Sequence, residues 1–528
     1  MPSASNYPAP RLDSRPVETF RATLGELAAH LGTAADASAG TSAGGSAPSS
    51  PPSPALRGDG ATAFTGVALA TDHVRPGDLF LGIRGGSAHG ARFAATAVEH
   101  GATAVLTDAE GAALVPEGVA TLVVDDPRRA AGPASAFLYR DPAAAMTTIG
   151  ITGTQGKTTT AFYVAAAAGM QVSGTIGSIG TTVGDDFFPP VLTTPEAPEL
   201  QAMLAVMREQ RLGTVAVEAS SHALTLGRVD GFAFDAGIFL NLGHDHRDYH
   251  PTQADYFAAK ALLLTPAHAK IGIVDVDSHW GRVLAAQATV PVRTVSATGS
   301  ETADWRAQDV ELRADGSSFV IRSPRGERVR FTTQLTGAFN VNNILAAVAA
   351  LAESGRELAD LAPGIAALPS VEGRLQRFDF GQPFTAIVDS AHKPEAINAA
   401  LRAIRTTSPE GRLIAVLGAN GNRDAAKRRM MGRFAAMFAD VLVITDDNPY
   451  DDDPAEIRAA LIDGARSSRS EIVEIADRRE AIDAACRMAR PEDTVVILGK
   501  GHERYHALAG GEIPWYDPDV LREVVEGL

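Results

Sequence analysis

The chain has 528 residues, of which 45% are hydrophobic and 21% are charged, and its formal net charge is −16. This length exceeds what one hydrophobic core usually organises, so we expect a globular protein of three domains. The acidic balance argues against nucleic-acid binding and against anionic membranes, because both need a basic surface. A single cysteine, Cys486, excludes an internal disulfide framework and a cysteine-rich zinc site, which fits a cytoplasmic protein.

The first 145 residues are predicted to form a small α/β domain. Residues 24–31 have the pattern of a helix, and the segment VRPGDLFLGI has that of a turn followed by a buried strand. Residues 34–60 are almost wholly Ala, Ser, Gly and Pro, a composition that buries too little apolar area to offset the entropy of ordering. We therefore expect residues 34–60 to be a flexible surface insertion.

No segment has the pattern of a membrane anchor or a signal peptide. The N-terminus lacks the basic start and apolar core that a signal peptide requires. The Ala-rich stretch at 161–170 is shorter than the roughly 20 apolar residues that span a bilayer. We expect no stable membrane insertion.

Two further α/β domains are predicted, at 146–368 and at 369–528. From Thr147 onward, apolar strands alternate with Gly-rich turns and long helices, and the same alternation restarts after residue 369. This pattern predicts mainly parallel sheets that are covered by helices.

A phosphate-binding loop is the most specific local motif. It lies between the apolar strand TTIGI and a helix, which is the context that such a loop needs. Its glycines let backbone N–H groups approach phosphate oxygens, its lysine adds a positive charge, and its first threonine can ligate Mg²⁺. Ile151 departs from the common pattern, which has glycine there. The predicted nucleotide-binding residues are Gly153, Thr154, Gln155, Gly156, Lys157, Thr158 and Thr159.

Kinases, ATPases and ligases share such a loop, so other residues must identify the reaction. Glu218 in EASSHAL, His246 in NLGHDHRDYH and Lys260 in DYFAAKALLL follow the loop in order. With the loop, these segments resemble the Mur ligase family over about residues 65–525. The resemblance implies a three-domain α/β architecture, with a central P-loop domain and a Rossmann-like C-terminal domain, and an ATP-dependent acid–amino-acid ligase.

The resemblance also implies a catalytic metal site. Glu218 matches the family's magnesium-binding carboxylate, His246 its metal-contacting histidine, and Lys260 a lysine that becomes carbamylated and therefore anionic. Together with Thr158 they would hold Mg²⁺ between ATP and the substrate carboxylate. Taken singly, the three residues could also be a strand-end carboxylate, a solvated loop histidine and a surface lysine.

Further matches lie near the expected adenine and at the expected hinge. Asn340 and Asn343 in GAFNVNNILAA resemble asparagines that lie near the adenine, although an N-cap before a core helix would have the same pattern. Arg374 resembles the hinge-side arginine of the family. His392 lies in a D-x-A-H-x-P segment in which Ser390 replaces tyrosine, and it would face the nucleotide from the third domain.

The precursor-binding residues resemble those of the ligases that add the third amino acid to the UDP-N-acetylmuramoyl dipeptide during peptidoglycan synthesis. Three departures are Leu192, Leu226 and the segment Ala70-Thr71-Asp72, which stands where the family has D-S-R. Precursor contacts are expected from Thr71, Thr193, Thr194, Ser220 and Arg228.

The third domain is expected to hold a free amino acid. Enzymes that add meso-diaminopimelate have D-N-P-R, whose arginine grips the distal carboxylate, whereas this chain has Tyr450, followed by an acidic run at 451–453. We therefore predict a diamino monocarboxylic acid such as lysine, ornithine or diaminobutyrate. The residues expected to contact it are Arg423, Asp447, Asn448, Pro449, Tyr450, Gly499 and Glu503.

Two alternatives stay open. The chain could be another ligase of the Mur superfamily, acting on folate, D-alanyl-D-alanine or a non-wall peptide. It could instead be a catalytically weak nucleotide-binding paralogue. For the main hypothesis, the ligands are ATP, Mg²⁺, the UDP-muramoyl dipeptide and a free amino acid, and we expect a monomer. No general base is visible in the sequence.

Overall fold

The structure is a computed structural model. It describes residues 13–39, with the backbone only for 34–39, and residues 54–243, 249–422 and 425–528. Within these residues, it contains three large β-sheets, and helices pack against them. The predicted α/β fold class is confirmed.

The N-terminal sheet has five strands in the order β2-β7-β6-β5-β4, which are parallel except for the edge strand β2. Strand β5 is fully buried, as the sequence predicted. A two-stranded β1–β3 ladder leads into helix α1. The elements are β1 Ala22–Thr23, α1 Leu24–Ala39, β2 Ala55–Arg57, β3 Ala63–Phe64, β4 Gly66–Ala68, β5 Asp78–Gly82, α2 Ala94–Glu99, β6 Ala104–Thr107, β7 Ala120–Val123 and α3 Pro127–Leu138.

The predicted insertion at 34–60 is wrong at both of its ends. Helix α1 continues to Ala39, because alanine is the best helix former. At the other end, strand β2 pairs antiparallel with β7, and the carbonyl of Gly60 accepts a hydrogen bond from the N–H of Gly25. Residues 40–53 lie outside the described residues.

The central sheet has eleven strands in the order β11-β10-β9-β12-β8-β13-β14-β15-β16-β17-β18. Within this order, the run β9-β12-β8-β13-β14-β15-β16 is parallel. Antiparallel hairpins extend the sheet at both edges. The elements are β8 Thr147–Thr152, α4 Lys157–Ala168, β9 Ser173–Ile176, β10 Thr181–Val183, β11 Asp186–Phe188, α5 Ala197–Glu209, β12 Thr214–Glu218, α6 Ser221–Thr225, β13 Ala236–Phe239, α7 Gln253–Ala261, β14 Gly272–Asp275, α8 His279–Gln287, β15 Val292–Ser296, β16 Trp305–Arg313, β17 Gly316–Arg322, β18 Arg328–Thr333, α9 Ala338–Glu353 and α10 Leu358–Ala367.

Strand β8 lies at the point where the order of the strands in this sheet reverses. The chain runs from β8 to β9 on one side, returns to β12 beside β8, and then places β13 on the other side. Helices cover both faces, so the inner strands are apolar throughout, as expected for a parallel sheet. Ligands of such sheets bind beyond the carboxyl ends of the strands at this reversal, and here β8, β12 and β13 end side by side.

The C-terminal sheet has six strands in the order β19-β20-β24-β21-β22-β23, and only β19 is antiparallel. Separate apolar clusters fill its two faces. The elements are β19 Gln376–Phe378, β20 Thr385–Asp389, α11 Pro394–Thr407, β21 Leu413–Leu417, α12 Ala426–Phe438, β22 Val441–Ile444, α13 Pro454–Ala465, β23 Glu471–Glu474, α14 Arg478–Met488, β24 Thr494–Leu498, β25 Tyr505–Leu508, β26 Gly511–Pro514 and α15 Asp517–Glu526. In the part of the chain that the structure describes, no helix is both long and apolar enough to cross a membrane.

Candidate functional site

The phosphate-binding loop connects β8 to the first turn of α4, and its backbone is hydrogen-bonded to a residue that follows the neighbouring strand β13. The side-chain oxygen of Asn241, just after β13, accepts hydrogen bonds from the N–H groups of Thr154 (3.1 Å) and Gln155 (3.0 Å). Gly156 has φ +87°, and a Cβ there would lie 2.5 Å from Oδ1 of Asn343. Only glycine fits this position.

Two lysines converge on one carbonyl of this loop. Nζ of Lys157 and Nζ of Lys260 donate to the carbonyl oxygen of Gly153, at 3.0 and 2.9 Å. Lys260 is only 1% exposed, and its Nζ lies 4.6 Å from the ring centre of Tyr256. Lys260 is therefore not a surface lysine, which removes that alternative.

A row of oxygen atoms runs from the loop to the end of β12. Glu218 is 1% exposed, and its carboxylate accepts hydrogen bonds from the N–H (2.9 Å) and the hydroxyl (3.0 Å) of Ser178. The hydroxyls of Ser178 and Thr158 are 3.1 Å apart. A Cβ at Gly177 would lie 2.1 Å from Oε1 of Glu218, so the tight approach depends on glycine.

These oxygen atoms suit Mg²⁺, which prefers hard oxygen ligands and usually combines one or two carboxylates with substrate phosphates and water. Within the described ranges, no group of three or more His, Cys, Asp or Glu side chains could hold a metal by itself. The predicted metal contact His246 lies outside the described residues. The donor set of Thr158, Ser178 and Glu218 thus fits an ion that is shared with a bound nucleotide.

The third domain reaches the phosphate-binding loop through Arg374. One guanidinium nitrogen, Nη2, donates to the Thr158 hydroxyl at 3.0 Å, and the other, Nη1, donates to the hydroxyl of Ser390. The preceding Gly373 has φ +63°, and a Cβ there would lie 2.5 Å from the backbone nitrogen of His502. The hinge segment is therefore packed directly on two loops of the C-terminal sheet.

The loop after β20 contains the D-x-A-H segment. The carboxylate of Asp389 accepts hydrogen bonds from the N–H groups of Leu375 (2.7 Å) and Ala391 (2.8 Å), although burial raises its pKa. Nδ1 of His392 donates to the carbonyl of Ser390 at 2.7 Å. These contacts fix the loop against the hinge.

The expected precursor residues surround the start of α6. The hydroxyl of Thr194 donates to the carbonyl of Glu218 at 2.6 Å, and Ser220 caps α6 by accepting from the N–H of Ala223 at 3.1 Å. Arg228 forms an ion pair with Glu196 at 2.9 Å. Thr71, in contrast, lies in a short turn of the N-terminal domain, where its carbonyl accepts from a ring nitrogen of His100.

A cleft of about 630 Å³ lies between the central and C-terminal domains. The sequence-predicted residues that line it are Thr154, Gln155, Gly156, Lys157, Thr158, Thr159, Thr193, Glu218, Ser220, Arg228, Asn340, Asn343, Arg374, His392 and Glu503. The described residues Thr71, Gly153, Thr194, Lys260, Asp447, Asn448, Pro449, Tyr450 and Gly499 do not line it.

The expected amino-acid residues form a buried polar network behind Glu503. Nζ of Lys500 donates to Oδ1 of Asn448 at 2.5 Å and lies 3.2 Å from the carboxylate of Asp447. The Asn448 amide donates to Glu503 at 2.9 Å. Burial, and then the nearby Asp447 carboxylate, raises the pKa of Glu503 to about 7. The network therefore positions one ionisable group at the wall of the cleft.

The acidic run at 451–453 is already engaged within the protein. Arg428 donates to Asp452 at 2.6 Å, the side chain of Asn422 donates to Asp451 at 3.2 Å, and Asp453 caps α13. Arg428 neutralises Asp452, whereas Asp451 and Asp453 stay exposed, so the expectation that this run suits a cationic substrate remains a prediction.

Tyr450 remains the distinctive residue of the D-N-P segment. It has φ +51°, and its phenol is hydrogen-bonded to that of Tyr505. Arg423 lies outside the described residues.

The cleft-lining residues that sequence reasoning missed include Ser178, Asn241, Phe339 and His502. Ser178 and Asn241 each follow a parallel strand at its carboxyl end, and that placement was a usable signal. His502 stands between two residues of the G-K-G-H-E segment that were singled out, Gly499 and Glu503.

Comparison with protein-family models matches three regions of the chain. The Mur ligase middle domain matches residues 151–351, the glutamate ligase domain of Mur ligases matches 373–501, and the catalytic domain of the Mur ligase family matches 43–138. A UDP-N-acetylmuramoyl-L-alanyl-D-glutamate–2,6-diaminopimelate ligase from Streptomyces coelicolor is 45% identical, over 98% of this chain and 99% of its own length.

The chain belongs to the Mur ligase family. Another relative, a UDP-N-acetylmuramyl-tripeptide synthetase from Leifsonia xyli, is 40% identical over 88% of this chain and 93% of its own length. A solved UDP-N-acetylmuramoyl-L-alanyl-D-glutamate–2,6-diaminopimelate ligase superposes with a TM-score of 0.62 at 30% identity, covering 88% of this chain and 95% of that one. The Mur ligase architecture expected from the sequence is thereby confirmed.

Proposed function

We propose that this Mur ligase uses ATP to join a diamino acid to UDP-N-acetylmuramoyl-L-alanyl-D-glutamate during peptidoglycan synthesis in the cytoplasm. The observation that carries the proposal is the contact between Arg374 of the hinge and Thr158 of the phosphate-binding loop, at 3.0 Å. It brings the amino-acid domain onto the nucleotide loop, as a reaction between ligands of two domains requires. The names of the full-length relatives supply the substrate class.

The nucleotide is proposed to bind with its phosphates on residues 153–159. The N–H groups at the start of α4 would face the phosphates, since those of Thr154 and Gln155 donate to Asn241, and Lys157 would neutralise the phosphate charge. Asn340 and Asn343 are proposed to lie beside the adenine, with Phe339 exposed next to them in the cleft. Arg374 and His392 close the site from the other domain.

The proposed metal ligands are Thr158, Glu218, His246 and carbamylated Lys260. Lys260 supports this assignment because it is buried beside the phosphate-binding loop, where its Nζ donates to the carbonyl of Gly153. Bound Mg²⁺ would offset the repulsion between the substrate carboxylate and the γ-phosphate. The three-part domain division at 145 and 368 remains part of this proposal.

The proposed reaction has two steps. A carboxylate oxygen of the precursor attacks the γ-phosphorus, and the bond to ADP breaks, which gives an acyl phosphate. The amine of the incoming amino acid then attacks the acyl carbon and displaces phosphate. Lys157 and Arg374 face the charge that develops on the transferred phosphoryl group.

The precursor is proposed to extend from the cleft toward the N-terminal domain. Thr193, Ser220 and Arg228 line the cleft, Thr194 accepts a hydrogen bond from Arg228 behind them, and Thr71 would contact the distant uridine end. This arrangement places the non-reacting part of a long substrate on a separate domain, where its binding energy helps to orient the reacting carboxylate.

The amino acid is proposed to bind at Arg423, Asp447, Asn448, Pro449, Tyr450, Gly499 and Glu503. Tyr450 has no guanidinium with which to hold a second carboxylate, and this favours a diamino acid that has one carboxylate. The exposed carboxylates of Asp451 and Asp453 also suit a cationic side chain, although Arg428 neutralises Asp452 between them.

The test is phosphate release by purified protein with Mg²⁺-ATP and the dipeptide precursor, compared across lysine, ornithine, diaminobutyrate and meso-diaminopimelate. Release with one monocarboxylic diamine supports both the ligase and the Tyr450 preference. Release with diaminopimelate alone keeps the ligase and overturns that preference. ATP binding without precursor-dependent release from any mixture would favour a catalytically weak nucleotide-binding paralogue. The Lys157→Ala variant serves as the inactive control.

A further inference from the structure

A four-residue turn at 371–374, the hinge turn, lies where the central domain leads into the C-terminal domain. Its first residue, Val371, is fully buried in an apolar core of the central domain. The carbonyl of Val371 accepts a hydrogen bond from the N–H of Arg374 at 3.0 Å, which closes the turn. Gly373, at the third position, has φ +63°, which favours glycine. The turn therefore brings Glu372 and Arg374 together at the domain junction.

The carboxylate of Glu372 is held by two donors of the C-terminal domain. Its Oε1 atom accepts hydrogen bonds from Nη2 of Arg504 at 2.8 Å and from the hydroxyl of Tyr516 at 2.7 Å. The guanidinium carbon of Arg504 lies 4.1 Å from the ring centre of Tyr516, so the two donors also contact each other. The carbonyl of Arg504 accepts from the N–H of Trp515 at 3.1 Å. Glu372 is thus tied to the loop after β24 and to the start of α15.

These contacts differ from an ordinary surface ion pair, which contributes little to stability. The side chains of Glu372 and Arg504 are only 26% and 27% exposed, and the carboxylate has a second, uncharged donor. By comparison, the pair of Glu523 and Arg479 in the same domain is 58% and 51% exposed. Shielding from water and two donors together fix the direction of the Glu372 carboxylate, and so the orientation of the hinge turn.

The hinge turn lies between the amino-acid loop and the phosphate-binding loop. Two residues after Glu372, Arg374 donates to the Thr158 hydroxyl at 3.0 Å. On the other side, Arg504 directly follows Glu503, which lines the cleft and is expected to contact the incoming amino acid. Glu372 therefore joins the amino-acid loop to the arginine that crosses the cleft.

We propose that Glu372 is a positioning residue of the ligase, whose carboxylate holds the hinge turn so that Arg374 stays on the phosphate-binding loop during phosphoryl transfer. The proposal rests on the ligase function proposed above. Glu372 does not line the cleft, so it acts through Arg374 and not on the reacting atoms. Without its two hydrogen bonds the turn can rotate at Gly373, and a small misplacement of a positioned group is enough to slow a reaction.

Two variants at this position separate the hydrogen bonds from the bulk of the side chain. Glu372→Ala removes the acceptor of both donors, and the rate of acyl-phosphate formation should fall about tenfold, less than the loss of about 10²- to 10³-fold expected without Arg374 itself. Glu372→Gln keeps an amide oxygen for both donors and should retain most of the rate. Glu523→Ala, which removes an exposed carboxylate paired with Arg479 at 2.5 Å, is the matched control and should leave the rate unchanged.

The readout must report the first step alone. Hydroxylamine converts an acyl phosphate into a hydroxamate without the amino acid, so hydroxamate formed per folded protein does not depend on an intact amino-acid loop. Glu372→Ala is then combined with Arg374→Ala. Because Glu372 acts through Arg374, the double variant should be no slower than Arg374→Ala alone. Any fall in melting temperature from Glu372→Ala should, in contrast, be the same in both backgrounds.

Three results would overturn the proposal: Glu372→Ala that forms hydroxamate at the wild-type rate, a further tenfold loss in the double variant, or equal losses in the Ala and Gln variants. If Glu372→Ala does not fold, Tyr516→Phe takes its place in the same pair of backgrounds. It removes one donor, keeps the ring beside Arg504, and should give a smaller loss that also disappears without Arg374. Wild-type protein that forms no hydroxamate would overturn the ligase function instead.

Discussion

The N-terminal and C-terminal domains contact the central domain through different kinds of surface. Helix α5 of the central domain contributes Ala197, Ala202 and Ala205 to the apolar core of the N-terminal domain. The C-terminal domain instead faces the central domain across a cleft lined with polar and charged side chains. One junction buries apolar surface, and the other leaves space for ligands.

Details of the first junction support a fixed contact. A Cβ on Gly132 of α3 would lie 2.1 Å from the carbonyl oxygen of Asp230, so the two backbones touch. The carboxylate of Asp230 pairs with Arg129 from one domain and with His268 from the other, both at 2.9 Å. The arginine and histidine hydrogen bonds lower the pKa of Asp230 even though burial opposes them. We expect these two domains to move as one body.

The second junction depends on fewer and more polar contacts. Arg374 joins Thr158 to Ser390 across the cleft, and Gly373 provides the tight backbone turn beside it. Contacts of this kind can be remade when ligands enter. The N-terminal domain is thus packed on the central domain as a fixed support, whereas the C-terminal domain is placed to close over the cleft, as the proposed function requires.

The largest expected effect comes from breaking the polar junction. Arg374→Ala removes the donor shared by Thr158 and Ser390, and kcat should fall by about 10²- to 10³-fold, as for loss of one positioned donor to a developing anion. The melting temperature should change little, because the apolar cores are untouched. Steady-state phosphate release measures this effect, and Arg402→Ala, an exposed arginine on α11, is the matched control. Loss of fold stability without loss of kcat in the folded fraction would contradict the assignment.

A change further inside the C-terminal domain should alter specificity and leave the junction intact. Tyr450→Arg adds a guanidinium group that can hold a second carboxylate. The kcat/KM for meso-diaminopimelate should therefore rise by about tenfold or more relative to lysine. Tyr450→Phe keeps the aromatic ring and adds no guanidinium group, so it should not change this preference. A wild-type enzyme that already prefers diaminopimelate would show that another residue holds the distal carboxylate.

Breaking the apolar junction should affect stability instead. Gly132→Ala forces the Asp230 backbone away from α3, and we expect the free energy of unfolding to fall by about 1–3 kcal/mol. Gly86→Ala is the control, since a Cβ at Gly86 meets nothing within 4 Å. Chemical denaturation followed by circular dichroism measures both variants. Equal stability of the two would mean that the two domains are not rigidly packed here.

A further expected effect is a pH dependence that comes from the cleft wall. Burial raises the pKa of Glu503 from 4.5 to about 7, so the native state holds a proton that the unfolded state releases in this window. The stability contribution of Glu503 is therefore present below about pH 4.5 and is lost as pH rises to 7, by at most about 1.4 kcal/mol per pH unit. Glu503→Gln should flatten this fall in denaturation curves taken from pH 5 to 7. A steeper fall in the variant would contradict the sign.

The sequence predicted the parts of the site that depend on local motifs. The loop at 153–159 and Glu218 are recognisable because a strand, a turn and a helix must follow one another in the chain. The α/β class followed from the alternation of strands and helices for the same reason. Helix α1 was underestimated because an Ala-rich run was judged only by what it buries.

Residues that act through long-range contacts were not predictable in the same way. Ser178 reaches Glu218, and Asn241 reaches Thr154, only after parallel strands place their carboxyl ends side by side. The internal pairing of Asp452 with Arg428 depends on the packing of α12 against the loop after β22. Whether a charged run faces a ligand or its own protein is set by such packing, which spacing alone does not report.

The proposed function requires the cleft between the central and C-terminal domains to couple ATP cleavage to formation of one amide bond. The most direct test incubates the protein with Mg²⁺-ATP, the dipeptide precursor and a diamino acid, and measures phosphate and the UDP-muramoyl tripeptide in the same samples by mass spectrometry. The account predicts equal amounts of the two products, with both lost in Lys157→Ala. Phosphate release without any tripeptide, under conditions in which the precursor is bound, would contradict it.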